Sequence, residues 1–372
     1  MENPSIAVTI IMKNEEDVIA QCIESARPYV DAIVVVDTGS TDKSIQVAQN
    51  AMLGISGVVT QRPWKGFAES RNDALSVARD FADYSLMIDA DSKFVAEDEA
   101  SKHTLADQLV VPALRVNILH GNLKYSRPLI THKDSGALYR GIVHEFVSLP
   151  AGAMNPPMLD GFYVMNNALG VSARNRNSRK YFDDAIALRR ALETDPGDLK
   201  PRYMFYLGQS YLNAGMMRLA LECFEQRLTM GGWSEELYIS ALWRARLLEK
   251  IGNSADEVIA AYFSAYEICP LRAESLRDIA RYARLNSRWN LAYLSASWAA
   301  AIPEPKDALF SETDVYLWAL RYELSISSWY VGKFESGMTL CSELLSSESL
   351  PEPERKATEG NLALYRKRLE GN

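Results

Sequence analysis

The chain has 372 residues, 48% of them hydrophobic and 24% charged, which is enough for two domains with separate cores and typical of a soluble globular protein. A formal net charge of −8 excludes broad affinity for nucleic acid, whose phosphates demand a basic face. No run reaches the roughly 18 apolar residues of a membrane helix, the Met1-Glu2-Asn3-Pro4 start has no basic leader, and the four cysteines (Cys22, Cys223, Cys269 and Cys341) lack C-x-x-C spacing. The expectation is a cytoplasmic protein with reduced, mostly buried thiols.

Residues Ile6 to Met12 read as a strand that stops at Lys13-Asn14-Glu15-Glu16. A helix pattern follows, with Val18, Ile19, Cys22 and Ile23 on one face. A second strand, Ala32 to Val36, stops at Asp37-Thr38-Gly39-Ser40-Thr41-Asp42 and feeds another helix. Gly39 permits the tight turn there, and Ser40 or Thr41 is the expected N-cap. Val58-Val59 mark a third strand, and Trp64 to Asn72 open a helix that leads to Leu86-Met87-Ile88-Asp89-Ala90-Asp91-Ser92.

That last run is apolar and ends in two carboxylates one residue apart. Side chains alternate along a strand, so Asp89 and Asp91 are expected on one face, where both can reach one cation. Carboxylate oxygens suit Mg²⁺ or Mn²⁺, which keep positions open for substrate phosphates. The plainer reading is a solvated loop after a strand. Dense strand–helix alternation predicts a mostly parallel sheet with helices on both faces. Its polar clusters all fall at the carboxyl ends of strands, where open α/β sheets bind ligands.

These motifs in this order (K-N-E-E, then V-D-T-G-S-T-D, then S-R-N and D-A-D) resemble the nucleotide-binding half of family-2 glycosyltransferases, which have the GT-A fold. The match spans roughly the first 95 residues. A further segment, Tyr139-Arg140-Gly141-Ile142-Val143-His144-Glu145, resembles the R-G-x-V-H-E stretch of bacterial relatives, among them lipopolysaccharide-core glucosyltransferases. The resemblance implies a metal-dependent transferase that moves a hexose from a nucleotide-diphosphate sugar, a UDP-sugar ahead of a GDP-sugar, with inverting displacement at the anomeric carbon. It implies that Asp37 contacts the nucleoside, that Met12 to Asn14 meet the base, and that Arg71 lies near the diphosphate. It makes Asp91 the principal ligand of Mn²⁺ or Mg²⁺ and Asp89 the first carboxylate of that motif. Many relatives carry a histidine shortly before the repeat domain, where this chain has Asn166-Asn167-Ala168, so His144 becomes the candidate third ligand. Glu145 is the candidate base for the acceptor, with Asp134 or Asp160 next in line.

Each position has a simpler alternative. Asp37 and Asp42 can serve as caps of the following helix, Arg71 can be a surface helix residue, and Glu145 can pair with Arg140. Trp64 and Phe67 are expected to cover the sheet edge.

After about residue 175 strand-like runs stop, which divides the chain into a GT-A domain at 1–175 and an all-α domain at 176–372. The stretch Tyr203 to Tyr211, continued by Gly215, Ala220 and Phe224, resembles the tetratricopeptide signature. Weaker copies include Gly252, Tyr262, Ala265 and Pro270, then Ala280, Ala292 and Ala299, then Gly332 to Leu344. Stacked helix pairs commonly hold an extended polypeptide, so the acceptor is expected to be a polypeptide or protein. A glycan of the cell envelope is the alternative acceptor, and a non-enzymatic scaffold the third reading. An array that only buttresses the first domain, or forms a homodimer, also fits the pattern.

Overall fold

The computed structural model describes residues 3–99, 104–120, 123–166, 179–194, 196–305 and 308–371. The chain divides into two compact units, Met1–Asp195 and Pro196–Asn372. The boundary expected at 175, together with Asn167 and Ala168, lies outside the described residues.

The first unit begins with β1 (Ile6–Met12), α1 (Ile19–Ala26), β2 (Ala32–Asp37), α2 (Ser44–Ala51), β3 (Ser56–Gln61), α3 (Phe67–Ala78) and β4 (Tyr84–Asp89). It continues through β5 (Lys93–Ala96), α4 (Leu105–Gln108), β6 (Ala113–His120), β7 (Leu123–His132), β8 (Leu138–Arg140), β9 (Phe146–Ser148), β10 (Met158–Met165) and α5 (Lys180–Thr194). Eight strands form one sheet in the order β3-β2-β1-β4-β7-β6-β10-β5, and β8 pairs with β9 alone. The four strands read from sequence, β3, β2, β1 and β4, run parallel in register, Met12 beside Asp37 and Ile11 beside Asp89. The rest is mixed, because β7 is antiparallel to both β4 and β6.

Every residue of β2 is buried, as a central parallel strand covered on both faces requires. Ile19, Cys22 and Ile23 of α1 and Ala48 of α2 pack with Ile6, Val8 and Ile10 on one face. Ala74, Leu75 and Ala78 of α3 pack with Val34, Val36 and Met87 on the other. The three-layer α/β arrangement follows directly from those two apolar stripes.

The second unit contains only helices among its described residues. They are α6 (Lys200–Asn213), α7 (Met217–Leu228), α8 (Ser234–Ile251), α9 (Ala255–Ile268), α10 (Glu274–Leu285), α11 (Trp289–Ala299), α12 (Leu320–Tyr330), α13 (Phe334–Ser346) and α14 (Glu352–Glu370). They pair as expected of tetratricopeptide-like repeats. Gly215, Gly252 and Gly332 take left-handed φ at the tight turns of three pairs, and Ser287 does so at the fourth. Gly208 faces Phe224 so closely that a Cβ would sit 2.9 Å from the ring. That close approach explains the Gly and aromatic positions of the motif. No helix among the described residues is long and apolar enough to cross a membrane.

Gly337 of α13 makes a stricter demand. A Cβ there would fall 2.2 Å from the Tyr365 ring, which is 1% exposed and donates its hydroxyl to Ser325 O at 2.6 Å. Gly337→Ala is expected to cost about 1–3 kcal/mol through overpacking. Denaturant unfolding of the two chains checks this, and an unchanged midpoint would show that Tyr365 shifts freely.

Candidate active site

The ends of β1 and β2 are tied together before any ligand is considered. Met12 is 3% exposed and belongs to the apolar core. Its carbonyl accepts from Thr38 N at 2.9 Å and from Thr38 Oγ1 at 3.0 Å. Asn14 holds a left-handed φ of 56°. Its N–H donates to Ser40 Oγ at 2.9 Å, and its Oδ1 accepts from Thr41 N at 2.7 Å. Asp37 is fully buried and accepts from Gly39 N at 3.1 Å, Ser40 N at 3.2 Å and Gln61 Nε2 at 3.3 Å. Gly39 has φ 110°, which the turn requires and a side chain resists. Asp37 therefore shapes the loop that follows β2.

The expected N-cap at Ser40 or Thr41 is corrected. The helix starts at Ser44, whose N–H and Oγ donate to Asp42 Oδ1 at 3.0 and 2.5 Å. Ser40 and Thr41 are instead drawn off by Asn14.

The two carboxylates after β4 also depart from the alternation argument. The strand ends at Asp89, and Ser92 N donates to Asp89 O at 3.0 Å, which closes a turn through Ala90 and Asp91. Period-two geometry stops at Asp89, so the two carboxylates do not share a strand face. Asp91 is 7% exposed, whereas the Asp89 side chain is 47% exposed. Beneath them, Cys22 Sγ lies 3.4 Å from Asp89 O. Burial pushes this thiol up, and the charges of Asp89 and Asp91 push it further. Cys22 is an inert, structural thiol. Ser92 Oγ donates to Asn166 Oδ1 at 2.8 Å, so Asn166 borders the same turn.

Arg71 joins the donor-side motifs to the later segment. It is 8% exposed, not a surface residue of α3. Its Nη2 donates to Asp89 Oδ1 at 2.5 Å and its Nε to Glu145 Oε1 at 2.9 Å. The guanidinium also lies 5.5 Å from the centre of the Tyr139 ring. Burial opposes its charge, but the Asp89 and Glu145 carboxylates outweigh that, so its pKa lies above the ordinary arginine value. Asn72, the next residue, donates from Nδ2 to Tyr139 O at 2.9 Å and accepts from Tyr139 N at 2.8 Å. The S-R-N motif thus pins β8 to α3 with one residue and aims a cation at two carboxylates with the next. Neither role was legible in the motif, because the partners lie 67 and 74 residues away.

Glu145 follows the β8 turn and its side chain is 12% exposed. It pairs with Arg71, which displaces the reading of Glu145 as a surface partner of Arg140. His144 is exposed and has φ 52°. Among the described residues no three His, Cys, Asp or Glu side chains gather as a metal site. Trp64 packs edge-on to Phe67 with ring centres 4.8 Å apart.

The donor set fits a hard divalent cation. Two carboxylates at the end of a strand match the few protein ligands that Mg²⁺ uses when phosphates complete its shell. Arg71 engages one oxygen of Asp89.

The polar motifs thus gather at the carboxyl ends of β1, β2 and β4 within one α/β unit. Residues 7–98 match the family described as Glycosyl transferase family 2, and the N-terminal unit carries a domain of that family. The chain is 33% identical over 141 residues to an uncharacterized glycosyltransferase of Rickettsia bellii, covering 36% of this chain and 45% of that protein. It is 24% identical over 272 residues to a TPR repeat-containing protein of Synechococcus elongatus, covering 70% of this chain and 66% of that protein. The chain therefore spans less than two thirds of the length of these relatives. Among solved structures, MamA aligns with a TM-score of 0.37 at 13% identity, over 50% of this chain and 98% of that one. A thermophilic TPR protein of Thermus thermophilus aligns with a TM-score of 0.35 at 16% identity, over 50% of this chain and 91% of that one.

Proposed function

We propose that the chain transfers a hexose from a nucleoside-diphosphate donor, a UDP-sugar ahead of a GDP-sugar, to a polypeptide acceptor. The observation that supports this is the bridge from Asp89 through Arg71 to Glu145, because it ties the D-A-D motif to the R-G-x-V-H-E segment. Mn²⁺ or Mg²⁺, held by Asp91 with Asp89, would supply positive charge to the leaving diphosphate. The ordered loops at Asn14 and Asp37 form the floor on which the nucleoside would lie. Arg71 engages Glu145 through Oε1, which leaves Oε2 to take the acceptor's proton as its oxygen or other nucleophile bonds to the anomeric carbon and the diphosphate departs.

The helical unit supports a polypeptide acceptor, since arrays of paired helices present long surfaces to extended chains. The likeness of Tyr139 to Glu145 to envelope-directed transferases supports a glycan acceptor as a second reading. Donor turnover separates an enzyme from a scaffold. Release of UDP or GDP from a panel of UDP- and GDP-sugars, with and without Mn²⁺, is expected to be metal-dependent and selective for one sugar. Absence of turnover with every donor, in the presence of co-expressed cell proteins and glycans, would leave the scaffold reading standing. A hexose mass increment on co-expressed protein would favour the polypeptide acceptor over the glycan.

A further inference from the structure

Glu145 stands in the turn of the β8–β9 ribbon, and that ribbon is not part of the eight-stranded sheet. Each of its strands has three residues, with Leu138, Tyr139 and Arg140 opposite Ser148, Val147 and Phe146. A two-stranded ribbon this short has little stability of its own, so its attachments decide where its turn lies. The Asn72 side chain of α3 supplies one of them. Its Nδ2 donates to Tyr139 O at 2.9 Å, and its Oδ1 accepts from Tyr139 N at 2.8 Å. A residue of an antiparallel strand directs its N–H and C=O to the same side. Tyr139 thus turns both groups away from Val147 and toward α3, and Asn72 stands where the backbone of a third strand would pair.

The side chain of Tyr139 anchors the same residue a second time. Tyr139 is buried in the apolar cluster that includes Ala68, Ala74 and Leu75 of α3. From there to Glu145 the chain has little slack. Gly141 holds φ 105° and His144 φ 52°, and a Cβ on Gly141 would lie 3.5 Å from Glu145 Cα. A displacement of β8 is therefore passed on to the Glu145 backbone. Arg71, the residue before Asn72, reaches Glu145 Oε1 from Nε at 2.9 Å. One turn of α3 thus grips the ribbon twice, at its first strand through Asn72 and at its turn through Arg71. Among the described residues both hydrogen-bonding atoms of Asn72 go to the Tyr139 backbone, so whatever Asn72 does for the site it does through the ribbon.

We propose that Asn72 is a positioning residue for sugar transfer, which holds the β8 backbone so that Glu145 keeps its place beside the acceptor. The inference rests on the reading of Glu145 as the base that takes the acceptor's proton. A general base works only within hydrogen-bond reach of that proton, and a misplacement of about 1 Å can cost about 10²-fold in rate. A single side-chain ion pair leaves the turn free to swing about it. Two hydrogen bonds to one backbone unit fix both distance and direction.

Asn72→Ala removes both bonds. In the full chain it is expected to lower kcat at least about 10-fold while the donor KM and Mn²⁺-dependent binding of UDP stay within about twofold. In a Glu145→Gln background the same substitution is expected to change the rate by less than about twofold, because the group it positions is already inert. Near-parental transfer by Asn72→Ala, or an equal loss in both backgrounds, overturns the proposal. Should Asn72→Ala fail to fold, Asn72→Gln keeps both groups on an arm one carbon longer and is expected to show the same loss of kcat; parental kcat there overturns the proposal too. Hydrogen exchange tests the hold on β8 apart from any chemistry. The Tyr139 amide is expected to exchange at least about 10-fold faster in Asn72→Ala than in the parent chain, and unchanged exchange overturns the proposal. Faster exchange together with near-parental transfer by Glu145→Gln would instead bring down the reading of Glu145 as the base, and the positioning role with it.

Discussion

Glu145→Gln is expected to bind the donor as the parent chain does and to transfer its sugar about 10² to 10⁴ times more slowly. Glutamine keeps the shape of the side chain and still offers Arg71 an oxygen, so the Arg71–Asp89 pair survives and donor binding with it. What is lost is the capacity to accept a proton as the bond to the sugar forms. The effect belongs in kcat, with the donor KM nearly unchanged, and steady-state kinetics against donor concentration reads both. His144→Ala provides the contrast. His144 is exposed and is the candidate to contact the metal-bound diphosphate, so its loss is expected to weaken donor binding as well. Near-parental transfer by Glu145→Gln would move the base elsewhere, and Asp134 and Asp160 would then be tested.

The second large effect is expected at Asp91. Asp91→Asn should abolish Mn²⁺-dependent binding of UDP while leaving a cooperative thermal transition, because the substitution is isosteric and lies in a turn beyond the end of β4. Asp91 is the less exposed of the two carboxylates, and the Asp89 oxygen facing Arg71 already neutralises part of that cation. Asp89→Asn is therefore expected to weaken the metal-dependent binding less, while loosening Arg71. Calorimetry of UDP with and without Mn²⁺ resolves the two variants. Undiminished metal-dependent binding in Asp91→Asn would remove it from the site.

Local pattern alone determined much of this protein. The apolar runs of β1, β2 and β4 are continuous because both faces of a central parallel strand are covered, and that continuity is written in consecutive residues. The paired helices of the second unit were legible for a related reason. A glycine such as Gly208 can face Phe224 only where two helices cross closely, and both residues sit within one repeat.

Tertiary structure decided whatever rests on partners distant in the chain. Arg71 in the sequence is one basic residue of a helix, and only folding sets it between Asp89, at the end of β4, and Glu145, in the turn between β8 and β9. Asn72 shows no function until the β8 backbone lies against it. Asp89 and Asp91 were paired by strand alternation, yet the strand ends at Asp89, where a backbone hydrogen bond from Ser92 closes a turn. The charged residues from Glu235 to Glu312 look like the solvated faces of helices. Arg272 and Glu274 are instead buried against one another beside Glu235, and no periodicity encodes which helices bring such charges together.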